Sequence, residues 1–404
     1  MCDAEGRDIL HPVKLAHLAD PHLGIRQYHR QTPGGLNQRE ADVEAAFRAA
    51  VDRVVAARPD AVLVAGDLFH SVRPTNAAIV FAFQQFQRLR EALPKAPLVL
   101  IAGNHDTPRS VETGSILRLF EELDVDVATT GERSFDYPGL DLSVLAVPHQ
   151  ALVRADRPSL RPSGSRRHQV LVIHGDVEGV VAHDHGVAEH GGALVTAAEL
   201  GAEHWSYVAF GHYHVQREIA PRAWYAGSLE YVSTNPWAEM REEAMHGGAG
   251  KGWLLADLAT GAVERVPVPL ARRYIDLPRI SGAGLGPEEL DRKIAERLRS
   301  VDGGIGGQVV RLVVTEVPRT IARLLDHTAI RAARADALHF HLDLRRPEPT
   351  RSEESGAAGR RATLSEIVQE YLERRRLPEG LDRAAFVQTG VELVETAERN
   401  LSDG

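Results

Sequence analysis

Along the first two thirds of the chain, short apolar runs alternate with longer stretches whose apolar residues recur every three or four positions. The short runs are Val13–Ala19 (VKLAHLA), Ala61–Ala65 (AVLVA), Pro97–Ala102 (PLVLIA), Leu142–Val147 (LSVLAV), Gln169–Ile173 (QVLVI), Tyr207–Phe210 (YVAF), Ala223–Ala226 (AWYA) and Gly252–Leu258 (GWLLADL). At four to seven residues they predict strands, and their near-continuous apolar character predicts a sheet covered on both faces. The stretches between the early runs predict helices. Arg39–Ala57 places Val43, Ala46, Phe47, Ala50, Val51, Val54 and Val55 at helical spacing, and Asn76–Leu93 does so with Ile79, Val80, Phe83, Phe86 and Leu89. Strand–helix alternation of this kind predicts an α/β fold with helices packed on a largely buried sheet.

The pattern restarts near residue 270. Arg272–Leu277 predicts a strand, and Pro287–Ser300 a helix with Leu290, Ile294 and Leu298 on one face. Val309–Val314 predicts a strand, Thr320–Ala333 one helix and Leu338–Leu344 a strand. Residues 346–361 have no apolar periodicity and read as a linker. Beyond it, Thr363-x-x-Glu366 is a capping box that opens a helix with Leu364, Ile367, Val368, Tyr371 and Leu372 as its stripe. The expected division is therefore 1–268, a small α/β domain at 269–345, the linker, and a helical segment at 362–404.

Composition narrows the class. Of 404 residues 43% are hydrophobic and 25% charged, as in ordinary globular proteins. The single cysteine, Cys2, excludes an internal disulfide and a cysteine-built zinc site. No apolar run reaches the ~20 residues of a membrane span. With no secretory pattern at the N-terminus, a cytoplasmic protein is expected. The net charge of −9 is uneven: residues 1–260 hold 24 basic against 33 acidic side chains, and residues 261–361 hold 18 against 14. An acidic front suits bound divalent cations, and a mildly basic middle suits a polyanion.

The candidate chemistry sits where apolar runs end. Asp20-Pro21-His22 follows HLA, Gly66-Asp67-Leu68-Phe69-His70 follows VLVA, and Gly103-Asn104-His105-Asp106 follows VLIA. His174-Gly175 follows VLVI, and Gly211-His212-Tyr213-His214 follows YVAF. In open α/β sheets the carboxyl ends of strands face the ligand. Asp, His and a neutral Asn oxygen are ligands for Mn²⁺, Fe²⁺, Zn²⁺ or Mg²⁺. Two such ions sharing one carboxylate activate water for displacement at phosphorus. Asp-x-His and His-x-His are expected to aim alternate side chains to one side of an extended segment, with the preceding glycines letting the chain turn off the strand.

The ordered DPH, GDLFH, GNHD, HG and GHYH series resembles the calcineurin-like metallophosphoesterase superfamily. The LADPHLG opening, the His70 that ends GDLFH, and YAGSLEYVS after GHYH are similar to the SbcD-type DNA-repair nucleases. The likeness covers residues 13–260 by motif and 270–345 by layout only. It implies a sheet sandwich flanked by helices, followed by a small capping, DNA-binding domain. It implies that Asp20, His22 and His214 hold one ion, that Asn104, His174 and His212 hold a second, and that Asp67 bridges them. Mn²⁺ is the activator it implies. His105 would be the general acid, Asp106 would orient its imidazole, and His70 would lie by the scissile phosphate. Ser228 and Glu230 would support the site from outside the ligands.

The implied activity is a metal-dependent DNA nuclease serving repair or recombination, foremost an exonuclease, with endonuclease action left open by the residues. The implied partners are DNA, an SbcC-type coiled-coil ATPase and a second copy of the chain as a homodimer. The Thr363–Arg376 stripe would meet that ATPase or dock on the chain's own body, and Arg374-Arg375-Arg376 reads as a solvated face. VVAHDHGVAEHGG, with His183, His185 and His190, departs from the family pattern and reads as a polar surface loop rather than an auxiliary metal site. Two further readings share the fold: a phosphoesterase for small nucleotides or phosphoproteins, and a non-catalytic scaffold. The first would spare linear DNA and the second would bind no metal.

Overall fold

A computed structural model describes residues 12–108, 114–180, 192–248, 250–347, 363–375, 377 and 382–402. Cys2, the three loop histidines at 183, 185 and 190, Arg376 and nearly all of the linker lie outside the described residues. The chain divides into two units, residues 1–346 and residues 347–404.

The first unit opens with the alternation that the apolar pattern predicts: β1 (Lys14–Leu18), α1 (Gln38–Ala57), β2 (Ala61–Val64), α2 (Asn76–Ala92) and β3 (Leu98–Ile101). A 3₁₀ segment, Ile116–Leu123, leads to β4 (Asp126–Ala128), then β5 (Arg133–Tyr137), β6 (Leu142–Val147) and α3 (His149–Val153). Next come β7 (His168–His174), β8 (Asp176–Val177), β9 (Leu194–Val195), α4 (Ala197–Leu200) and β10 (Tyr207–Gly211). β11 (Arg217–Ala220), β12 (Ala223–Tyr225), α5 (Pro236–Met245), β13 (Gly252–Asp257) and β14 (Val263–Pro267) complete this part.

These strands form two six-stranded sheets, ordered β14-β13-β1-β2-β3-β4 and β11-β12-β10-β7-β6-β5. β1 to β4 run parallel, as do β6, β7, β10 and β12. β2 explains the layering. Val62 and Val64 join Val43, Phe47 and Val51 of α1 in one core. Ala61, Leu63 and Ala65 meet Val144, Ala146, Val170 and Val172 of the second sheet in another. Successive side chains of a strand point to opposite faces, so each apolar run feeds both layers. His17 is buried between the sheets, where its Nδ1 pairs with the Tyr207 hydroxyl at 3.0 Å.

A separate parallel sheet follows: β15 (Tyr274–Ser281), α6 (Pro287–Arg299), β16 (Val309–Thr315), α7 (Arg319–Leu324), α8 (His327–Asp336) and β17 (His339–Leu344). It has its own core of Leu277, Leu290, Ile294, Leu312, Ile330 and Phe340. The single helix predicted over Thr320–Ala333 is broken in two. The Asp326 carboxylate accepts from the Thr328 and Ala329 N–H groups and starts α8 afresh.

In the second unit, α9 (Leu364–Arg374) begins at the predicted Thr363/Glu366 capping box, and α10 (Arg383–Ser402) pairs with it. A Cβ on Gly390 would lie 2.3 Å from Leu372 Cδ1, so a larger residue there would push the end of that side chain aside. Leu364, Ile367 and Tyr371 of the predicted stripe are exposed. No helix among the described residues is long and apolar enough to cross a membrane.

Candidate metal centre

The parallel strands of each sheet end on the same edge, and the five motifs leave from those ends. Asp20 and His22 follow β1, Asp67 and His70 follow β2, and Asn104 to Asp106 follow β3. His174 closes β7, and His212 and His214 follow β10. The convergence does not come from extended alternation. Asp20, His22, Asp67 and His212 have φ of 51°, 49°, 49° and 98°. The left-handed backbone turns their side chains inward, at roughly 1–3 kcal/mol each. Of the preceding glycines, Gly66 has φ of +93°. Gly103 and Gly211 are required for clearance instead: their Cβ atoms would lie 2.0 Å from Asp67 Oδ1 and 1.9 Å from the Ala65 carbonyl oxygen.

All seven residues assigned to metal binding meet. Asn104 Oδ1 is 2.9 Å from His174 Nε2 and 3.1 Å from His212 Nδ1. Asp67 Oδ2 is 3.3 Å from His174 Nε2 and 3.7 Å from His22 Nε2. His22 Nε2 and His214 Nε2 are 3.2 Å apart. Asp20, His22 and His214 form one cluster whose ligand atoms lie within 4.8 Å of one another, and Asp67, His174 and His212 form another. Asp20, His22, Asp67, His174, His212 and His214 are buried, and Asn104 is half-buried.

The donor chemistry fits cations. His174 Nδ1 donates to the Ala65 carbonyl at 2.8 Å, so in the neutral ring Nε2 carries the lone pair. That lone pair faces two acceptor oxygens, Asn104 Oδ1 and Asp67 Oδ2. Acceptors crowd around a point with no donor between them unless a proton or a metal ion is there. Without an ion, protons must do this work. Burial lowers the affinity of His174 for a proton, but Asp67 and Asp20 outweigh it and raise its pKa to about 9. Burial raises Asp67, yet His174, His22 and His105 hold it well below the usual carboxylate range. Burial lifts Asp20 to about 6 against the opposing pull of His174 and His214. This Asp/His set has the donor chemistry of a divalent-metal site.

His70 and His105 flank the centre. Their rings stack with centroids 5.0 Å apart, and His105 lies edge-on to His22 at 4.8 Å. His70 Nδ1 is 3.3 Å from His22 Nδ1. Asp106 does not have the orienting role expected of it. Its carboxylate accepts from the Leu68, Phe69 and Gly103 N–H groups at 3.0, 3.0 and 3.2 Å. His105 Nδ1 instead meets the His70 carbonyl at 2.8 Å. Asp106 therefore ties the loops after β2 and β3 together. Burial, then the neighbouring Asp67 carboxylate, pushes its pKa up to about 7.

Several supporting residues carry no motif. Asp176, in β8, brings Oδ2 to 3.5 Å from His212 Nε2. Lys251 donates to the His214 carbonyl at 2.8 Å and is ion-paired with Glu239. Ser228 N–H also donates to the His214 carbonyl, at 3.1 Å. Glu230 pairs with the buried Arg39, away from the ligands. The available signals were faint: an acid two residues past His174, and Glu239-x-x-x-Glu243 at one-turn spacing on a helix.

A family model described as Calcineurin-like phosphoesterase matches residues 13–216, half of the chain. The chain belongs to the calcineurin-like phosphoesterase family. The curated proteins it is similar to include three that bear the name DNA double-strand break repair protein Mre11. The one from Sulfurisphaera tokodaii is 25% identical over 272 residues, 65% of each chain. The one from Saccharolobus solfataricus is 28% identical over 256 residues, 61% of each chain. The one from Methanocaldococcus jannaschii is 27% identical over 256 residues, 61% of this chain and 63% of that one. The alignments thus span just under two thirds of these relatives.

Proposed function

We propose that this chain is a metal-dependent DNA nuclease that hydrolyses phosphodiester bonds in DNA repair or recombination. The observation that carries the reading is the meeting of seven metal-ligand side chains from five strand ends. The similarity to proteins named for DNA double-strand break repair supports DNA as the substrate class. Asp20, His22 and His214 would hold one divalent cation, Asn104, His174 and His212 a second, and Asp67 both. Mn²⁺ is the ion proposed. When bound, the ions supply an activated water and offset charge at phosphorus.

The chain's own groups do the rest. A carbonyl only accepts, so His105 donates through Nδ1 to the His70 carbonyl and leaves Nε2 as the atom that gives or takes a proton. This suits His105 as general acid toward the leaving oxygen, with His70 stacked beside it against the phosphate. Residues 269–345 would cap the site, and the basic surplus in 261–361 would hold the DNA backbone. The exposed Leu364, Ile367 and Tyr371 stripe suits an SbcC-type coiled-coil ATPase, and a homodimer and a cytoplasmic setting complete the proposal.

The test is digestion of end-labelled single- and double-stranded DNA beside a small phosphodiester, at equal enzyme and Mn²⁺. Metal-dependent shortening of the labelled strand is expected. Turnover of the small ester alone would replace the nuclease reading with a small-substrate phosphoesterase.

A further inference from the structure

Lys251 is a fully buried ammonium that the proposed reaction does not use. A buried charge is tolerated only with close partners. Lys251 has three N–H groups and three acceptors: a Glu239 carboxylate oxygen, Glu243 Oε1 at 3.0 Å, and the His214 carbonyl oxygen at 2.8 Å. Glu239 is also fully buried. Its Oε2 faces Lys251, while Oε1 accepts from the Ser233 N–H at 3.1 Å and lies 3.9 Å from His214 Nδ1. One ion pair therefore addresses His214 at both ends, the cation at its carbonyl and the carboxylate at its imidazole.

We propose that Lys251 and Glu239 are positioning residues that fix the orientation and tautomer of His214 for metal binding. This rests on the reading of Asp20, His22 and His214 as a metal site. A carboxylate facing Nδ1 favours a proton there. Nε2 then keeps its lone pair, and it is Nε2 that meets His22 Nε2 at 3.2 Å inside the Asp20 cluster. The opposite tautomer would place N–H where a metal ligand is needed. The carbonyl contact stops the backbone at His214 from swinging, since Lys251 has no other acceptor to spare. A packing role alone does not account for the trio, because apolar side chains of the same volume would fill the space without the cost of desolvating three charges.

Glu243 provides an internal control. It belongs to the same trio, pairing with Lys251 and accepting from the Tyr231 hydroxyl at 2.7 Å, but it is not the carboxylate that faces His214. Loss of Glu243 should cost stability, as loss of Glu239 does, and leave His214 in place.

The experiment is calorimetric titration of Mn²⁺ into the full-length, metal-free chain and its Glu239→Gln and Glu243→Gln variants, with thermal unfolding measured on each. Glu239→Gln is expected to weaken one of the Mn²⁺ sites by roughly 10–100-fold. Glu243→Gln is expected to lower the unfolding temperature and bind Mn²⁺ as the unaltered chain does. Equal losses of Mn²⁺ affinity in the two variants, or none in Glu239→Gln, would overturn the proposal. Nitrogen-15 NMR of the unaltered metal-free chain tests it without a variant. His214 is expected as the Nδ1–H tautomer, and an Nε2–H tautomer would overturn it. An unaltered chain that takes up no Mn²⁺ would remove the metal reading itself; normal uptake with an unaffected Glu239→Gln would remove only the positioning role.

Discussion

His22 Nε2 and His214 Nε2, 192 positions apart in the chain, face each other at 3.2 Å in a fully buried setting. Two neutral imidazoles can meet this way by sharing one proton, and two metal ligands can meet this way around a cation. The buried Asp20 carboxylate in the same cluster favours a cation. His105 stands just outside, edge-on to His22.

That placement separates chemistry from binding. His105→Ala is expected to keep metal and DNA binding and lose turnover by roughly 10²–10⁴-fold, the span of a general acid. Metal content by elemental analysis and single-turnover cleavage check this. Loss of bound metal in the variant would make His105 a ligand.

Asp176 stands behind His212 as a carboxylate behind an imidazole, 3.5 Å from Nε2. Asp176→Asn removes the charge and keeps the shape. A roughly 10–100-fold loss of metal affinity is expected, with little change in unfolding temperature. Unchanged Mn²⁺ affinity would show that the neighbouring loops, not Asp176, hold His212.

His17 sets a pH dependence of folding. Burial, only partly opposed by its other contacts, lowers its pKa to about 3 from an ordinary 6.5. Between those values the unfolded chain binds a proton there and the folded chain does not. Stability from this group therefore falls as pH drops below about 6.5, by about 1.4 kcal/mol per pH unit until about 3. Urea unfolding of the metal-free chain at several pH values, compared with His17→Gln, should show a slope shallower by about one proton in the variant. Identical slopes would mean that His17 titrates normally in the fold.

Gly211 ends β10 against the Ala65 carbonyl oxygen, where a Cβ would sit 1.9 Å away. Gly211→Ala should therefore cost roughly 1–3 kcal/mol through overpacking. A lower unfolding temperature and weaker Mn²⁺ binding are expected together, because the same shift moves His212. An unaltered melting curve would mean that the sheet ends separate easily.

A buried, helix-covered sheet was legible because its strands are apolar on both faces, as Ala61–Val64 and Leu98–Ile101 show, while its division into two sheets was implied only by the family resemblance. The edge strands were not. Arg133–Tyr137, Arg217–Ala220 and Val263–Pro267 are short and rich in charge, which protects an edge from pairing and also hides it from hydropathy. In the site, residue types at strand ends marked the five motifs, and the choice of seven ligands among them came from the family resemblance. The expected orienting partner of His105 failed because adjacency in sequence is not adjacency of side chains. Asp106 turns back to the Leu68, Phe69 and Gly103 amides, and the His70 carbonyl takes the imidazole. Lys251 gave no warning, and Glu239 only its one-turn spacing from Glu243, since a buried charge is recognised only once its partners are known.

Electron paramagnetic resonance of the Mn²⁺-loaded chain, beside Asp67→Ala, addresses the shared centre most directly. Two magnetically coupled Mn²⁺ ions per chain are expected in the unaltered protein, with both affinities reduced and the coupling lost in Asp67→Ala. Two uncoupled ions in the unaltered chain, or full occupancy of either site in Asp67→Ala, would contradict a centre built around the Asp67 carboxylate.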